Sequence, residues 1–158
     1  ADVRMKAVED HYNWVDVASF LGAPSIRVNA GGQGTADEVA TNAIDGLSKL
    51  GTYAATKGVN IVVENHGGYS SDGSWLSGVI KNVNMANVGT LPDFGNFCIE
   101  YGADGCAKEY DKYKGIAELM PFAKGVSAKS HQFDANGNET KSDFLKIMNI
   151  ILLVIKIF

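Results

Sequence analysis

The chain has 158 residues, 46% hydrophobic and 20% charged, with 14 basic against 18 acidic side chains for a formal charge of −4. That length holds one domain with a substantial core, and the composition is that of a globular protein. The acidic balance argues against the broad basic footprint of a nucleic-acid binder.

No basic stretch followed by an apolar run and a small-residue cleavage site opens the sequence, so the expected location is cytoplasmic. The apolar stretch 144–158 carries Lys146 and Lys156 and falls short of the roughly 20 residues that a membrane span needs. No membrane partner is expected. Cys98 and Cys106 lack CxxC spacing, and in that location they read as reduced, buried thiols.

In chain order, residues 10–21 place Trp14, Val17, Ala18 and Leu21 at helical spacing, with Gly22 and Pro24 ending the helix. Ser25-Ile26-Arg27-Val28-Asn29 reads as a strand whose alternation puts Arg27 and Asn29 on one face. Residues 37–57 form the next helix, with an apolar stripe of Val39, Ala43, Leu47, Leu50 and Ala54 and Gly58 as its stop. A strand beginning at Asn60 ends on Glu64, and Asn65-His66-Gly67-Gly68 leads out of it. Ser70-Ser71-Asp72 caps a helix over 73–83.

A third strand around Gly89-Thr90-Leu91 ends at Asp93, and a long excursion through Gly102, Gly105 and Cys106 follows. The helix expected over 109–124 is kinked or restarted by Pro121. Residues 126–131 read as a fourth strand that sets Ser127, Lys129 and His131 on one face. A turn at 134–138 precedes a final helix opened by Ser142 or Asp143, and residues 149–158 form an atypical hydrophobic tail. Strands alternating with helices every 30 to 40 residues or so give the rhythm of parallel βα units in a single α/β domain, 1–158.

Two of these strands stop on carboxylates, Glu64 and Asp93. Acids at the same end of neighbouring parallel strands can share a divalent metal or move a proton, and a carboxylate there is costly unless solvated, paired or metal-bound. His131 and Lys129 end the fourth strand as candidates for metal or substrate contact. Arg27 is suited to a phosphate or carboxylate, and His66 shares the Glu64 loop. Other patterns carry less. The Gly31-Gly32-Gln33-Gly34 loop lacks both GxGxxG spacing and a Lys-Ser/Thr pair. The 134–138 segment lacks calcium-loop spacing, and no nucleophile elbow supports Ser/His/Asp hydrolysis.

From about residue 11 to 145 the chain resembles the sugar phosphate isomerase/epimerase family of the xylose-isomerase-like TIM-barrel superfamily. The resemblance rests on Ser25-Ile26-Arg27-Val28-Asn29, Glu64-Asn65-His66-Gly67-Gly68, Leu91-Pro92-Asp93-Phe94-Gly95-Asn96-Phe97 and Val126-Ser127-Ala128-Lys129-Ser130. It implies part of a (β/α)8 barrel, about strands 4 to 7, incomplete at both ends. The segments for the first three strands and for a last, Glu-bearing strand have no counterpart, which reads as a fragment.

The resemblance also implies a divalent metal (Mn, Mg, Co or Zn) and a sugar or sugar phosphate substrate isomerised through an enediolate. Glu64 and Asp93 match metal-ligand positions. The usual strand-seven His falls at Ser127, leaving His131 as the candidate third ligand. Glu64 and Lys129 are the catalytic candidates; Arg27, Asn29, His66 and Asn96 are the substrate-binding ones, Asn96 standing where many relatives carry a His. The rival readings are a metal-dependent hydrolase resembling the endonuclease IV branch and an inactive partial barrel. Exposed strand edges and the apolar tail leave homo-oligomerisation open.

Overall fold

The computed structural model describes residues 2–155. Helix α1 (Asp2–Phe20) leads into β1 (Ser25–Val28), then α2 (Ala36–Ala55) into β2 (Asn60–Glu64), then α3 (Gly73–Val83) into β3 (Val88–Leu91). The three strands pair in parallel in the order β1-β2-β3, with Ile26 opposite Ile61, Ile61 opposite Val88, and Glu64 opposite Leu91. Helices α4 (Lys112–Leu119) and α5 (Phe144–Ile155) complete the chain. The sheet does not close, and the arrangement is an incomplete (β/α)8 barrel.

Local sequence sets the helix starts. Thr35 and Glu38 form a reciprocal capping box at the head of α2, the Thr35 N–H donating to Glu38 Oε2 at 2.8 Å. Asp72 caps α3 by accepting the N–H groups of Ser74 and Trp75, and Asp111 caps α4 by accepting those of Tyr113 and Lys114. As the position of Pro121 anticipates, α4 stops at Leu119 and a 3₁₀ turn, Met120–Phe122, replaces its last turn.

Alternation along the strands then divides the two faces of the sheet. Ile61, Val63 and Val88 point to the helices and join Val15, Leu47, Leu50, Leu76, Val79 and Leu119 in the main core. The opposite face of the same strands carries Arg27, Val62, Glu64 and Leu91, so the polar side chains lie on the face that a closed barrel turns inward. A second core joins Phe94, Phe97, Ile116 and Met120 to Ile147 and Ile151 of α5. The apolar stretch expected as a tail from 149 therefore continues a packed helix through Ile155, and its last three residues lie outside the described ones. No helix among the described residues is long and apolar enough to cross a membrane.

Three expectations are corrected. Residues 126–131 do not form a regular fourth strand: Ser127 makes a single parallel bridge to Asp93, and no ladder extends from it. With no further strand described beyond it, the segment has one partner and its residues 128 and 130–131 stay exposed. The excursion before α4 is an antiparallel hairpin, β4 (Cys98–Gly102) and β5 (Gly105–Glu109). Finally, Cys98 and Cys106 are not reduced buried thiols. They form a disulfide across this hairpin, where strand pairing brings their Cα atoms to 5.6 Å, inside the range that a disulfide spans.

Candidate functional site

At the C-terminal tips of β2 and β3 the chain turns polar while still buried. Glu64 is 8% exposed and Asp93 2%. Charged carboxylates at such depth need partners, and each has them. Arg27, on the same face of the neighbouring β1, makes an ion pair with Glu64 Oε2. Asp93 Oδ1 accepts the N–H groups of Gly95 and Asn96, both at 2.9 Å, and its Oδ2 accepts the Ser127 hydroxyl at 2.7 Å.

Asn96 links the two acids. Its backbone N–H binds Asp93, and its side-chain amide donates to Glu64 Oε1 over a long 3.4 Å. Its Oδ1 accepts from Lys129 Nζ at 2.7 Å. One asparagine therefore touches both carboxylates and an ammonium. Two acids and two bases, Arg27 and Lys129, balance charge there.

The frame beneath is built by Asn65, fully buried between the strands. Its Oδ1 accepts the Asp93 N–H at 2.7 Å, and its Nδ2 donates to the carbonyls of Asp93 and Asn96 at 3.0 Å each. The Ser71 hydroxyl also donates to the Asn96 carbonyl, at 2.8 Å. Sequence reading gave Asn65 no role of its own. The available signal was an amide directly after a strand-ending acid, where a polar side chain must turn inward to meet the next strand's loop.

Other candidates lie at varying distance from this centre. His131 sits against the turn: a Cβ built on Gly95 would be 2.9 Å from its Nε2. Its backbone N–H donates to Glu139 rather than to the site. His66 is exposed, with its backbone N–H bound to Ser70 Oγ. Asn29, expected on one face with Arg27, instead lies past the end of β1 and lines a cavity of about 440 Å³ between α1 and α2, beside His11 and Asn42. A second cavity of about 420 Å³ lies at the strand tips between Gly31–Gly32, Gly67–Gly68 and the hairpin residues Ile99 and Glu100.

The donor set suits a hard divalent cation in kind but only in part. Two carboxylates are the oxygen ligands such ions take, and Asp93 Oδ2 keeps a lone pair beyond its one hydroxyl partner. No group of three or more His, Cys, Asp or Glu side chains converges among the described residues.

Known proteins share this fold. A family model described as "Xylose isomerase-like TIM barrel" matches residues 1–143. No curated protein is significantly similar in sequence. Among solved structures, a xylose isomerase-like TIM barrel protein from Mycobacterium smegmatis in complex with magnesium aligns with a TM-score of 0.69 and 20% identity, over 95% of this chain and 57% of that one. A D-allulose 3-epimerase from Methylomonas sp. aligns with a TM-score of 0.72 and 18% identity, over 95% and 53%. The IOLI protein with a zinc atom aligns with a TM-score of 0.68 and 12% identity, over 93% and 56%. The chain spans just over half the length of these structures, and at such identities they report the fold. The family match, together with the shared half-barrel, shows that this chain belongs to the xylose isomerase-like TIM barrel family.

Proposed function

We propose that this chain carries part of the active site of a sugar or sugar phosphate isomerase or epimerase. The observation that supports it is the pair of buried carboxylates, Glu64 and Asp93, joined through Asn96 at the C-terminal tips of adjacent parallel strands. That is the end of a barrel where chemistry is done. The D-allulose 3-epimerase alignment adds a substrate class, and the magnesium- and zinc-bearing relatives add the cofactor class.

Glu64 and Asp93 would hold the divalent ion (Mn, Mg, Co or Zn), which when bound supplies Lewis-acid polarisation of a carbonyl and its neighbouring hydroxyl. Glu64 is the group assigned to remove the proton alpha to that carbonyl, giving an enediolate. The Arg27 ion pair holds Glu64 Oε2 from the neighbouring strand. Lys129, steadied by Asn96 Oδ1, is the cation that orients a substrate oxygen, and Asn96 sets both carboxylates. His131 and His66 are assigned to the periphery, where a sugar's outer hydroxyls or phosphate would lie, whereas Asn29 lines the separate cavity between α1 and α2.

The test is titration of Mn²⁺ into the purified chain by calorimetry, followed by solvent-hydrogen exchange at the carbon beside a ketose carbonyl. Metal affinity should fall at least about tenfold in Glu64→Gln and Asp93→Asn, and exchange should vanish in Glu64→Gln. Exchange unchanged in that variant would remove Glu64 from the base role. A second reading, a scaffold without catalysis of its own, draws on the two-carboxylate set lacking a third ligand among the described residues. It predicts no metal binding by the wild-type chain.

A further inference from the structure

The hairpin β4–β5 forms one wall of the cavity at the strand tips. Ile99 and Glu100 face Gly31–Gly32 and Gly67–Gly68 across it. Strand β4 packs on the 3₁₀ turn Gly68–Ser71, and the Tyr101 ring lies 3.9 Å from where a Cβ on Gly67 would sit. The base of the hairpin is anchored: Phe97 is fully buried, and the Tyr110 N–H donates to the Phe97 carbonyl at 2.8 Å.

Beyond that base the two strands are joined by their backbone ladder and by few side-chain contacts. All five residues of β5 are exposed, as are Glu100, Tyr101 and Gly102 of β4, so the hairpin has no apolar face to bury. An isolated two-stranded hairpin of this kind is marginal in water. The Lys108–Glu100 ion pair at 3.2 Å joins the strands, but both side chains are more than 60% exposed, and such pairs contribute little. The covalent Cys98–Cys106 link is the strong cross-strand connection. Its Cys106 end is exposed and its Cys98 end is buried, so an attacking thiolate can reach one sulfur.

We propose that the Cys98–Cys106 disulfide is a redox-sensitive clasp on this wall, and that reduction by a dithiol loosens the wall and opens the cavity between the hairpin and the loops Gly31–Gly32 and Gly67–Gly68. A thiolate of the dithiol attacks Cys106 Sγ, the Sγ–Sγ bond breaks, and Cys98 leaves as a thiolate that takes a proton. The second thiol of the reductant then displaces Cys106, which is protonated in turn. Two electrons and two protons pass to the cysteines, and the dithiol becomes a cyclic disulfide. This device is independent of which reaction the site performs.

Hydrogen–deuterium exchange on the whole chain, with and without dithiothreitol, tests it, with iodoacetamide labelling to score the thiols. Both cysteines should label only after reduction. Amide exchange across 99–109 and across 67–70 should then quicken by roughly ten- to a hundredfold, as expected for losing a short-loop cross-link, while β1, β2 and β3 stay unchanged. A Cys98→Ser/Cys106→Ser variant should exchange like the reduced protein and ignore dithiothreitol. Labelling of both thiols before any reductant is added would overturn the proposal. So would a loosened hairpin that leaves 67–70 unchanged, or a double variant that still responds to dithiothreitol.

Discussion

Asn65 grips both backbone groups of Asp93, accepting its N–H at 2.7 Å and donating to its carbonyl at 3.0 Å. An isolated acid at a strand tip can swing; this one has its backbone fixed to the neighbouring strand before its carboxylate makes any bond. Replacing Asn65 with Ala strands the Asp93 N–H and carbonyl in a fully buried site. The Asn96 carbonyl keeps Ser71 as a donor. Each buried unpaired group costs about 1–3 kcal/mol, so a loss of about 2–6 kcal/mol is expected in urea unfolding. A change below about 1 kcal/mol would mean water replaces the amide and the clamp is dispensable.

The site's outer turn depends on a close approach between helices. A Cβ on Gly115 would come within 2.3 Å of Phe97 Cε1, and one on Gly73 within 2.6 Å of Gly115 Cα. Here α4 lies so near α3 and the hairpin base that a methyl has no room. Gly115→Ala should destabilise by about 1–2 kcal/mol, the overpacking strain exceeding the helix propensity gained. Trimming the ring in a Phe97→Leu background should reduce that penalty, and a double-mutant cycle would measure the coupling. Equal penalties in both backgrounds would put the strain elsewhere.

What the sequence made legible follows from how local each signal is. The stripe of α2, the cap of α3 at Asp72, and the strands ending at Glu64 and near Asp93 are set by neighbours a few residues away, and they form as read. The fourth strand failed because a strand needs a partner, and residues 126–131 find only the single bridge from Ser127 to Asp93. The hairpin was hidden because its strands are short and mostly exposed and carry no sustained apolar alternation. Its one local sign was Asp104-Gly105, a hairpin-turn dipeptide, with Gly105 at φ +121°. The disulfide was missed with it, since only the hairpin brings Cys98 and Cys106 together. Asn65 and the hub role of Asn96 are likewise contacts between loops that are about thirty residues apart in sequence.

Glu139 carries a pH dependence of its own. Burial alone would raise its carboxyl, but N–H groups of Gln132, His131, Ser142 and Lys141 outweigh that and hold it at about 2 against an ordinary 4.5. A depressed carboxylate stabilises the fold in full above its unfolded value, and that contribution is lost as pH falls from about 4.5 towards 2. The segment from His131 to Ser142 should therefore loosen across that window, read by amide exchange of those residues. Glu139→Gln should loosen it at neutral pH and flatten the acid dependence. An acid transition unchanged in the variant would assign it to other carboxylates.

The last prediction turns Ser127 into a probe of the two-carboxylate set. Its hydroxyl sits 2.7 Å from Asp93 Oδ2, at the position where the resemblance places a metal-binding His. Ser127→His brings an imidazole beside an acid that already keeps a spare lone pair, and so completes a three-ligand group with Glu64. Zn²⁺ or Mn²⁺ affinity should rise at least about tenfold over the wild-type chain, since imidazole and carboxylate together suit these ions. Binding needs the neutral ring, so the gain should fade below about pH 6, whereas loss of the carboxylate ligands alone would come at lower pH. Calorimetric titration at two pH values separates these cases. Affinity that does not change on introducing the ring would show that Glu64, held by Arg27, and Asp93 do not open onto one coordination sphere.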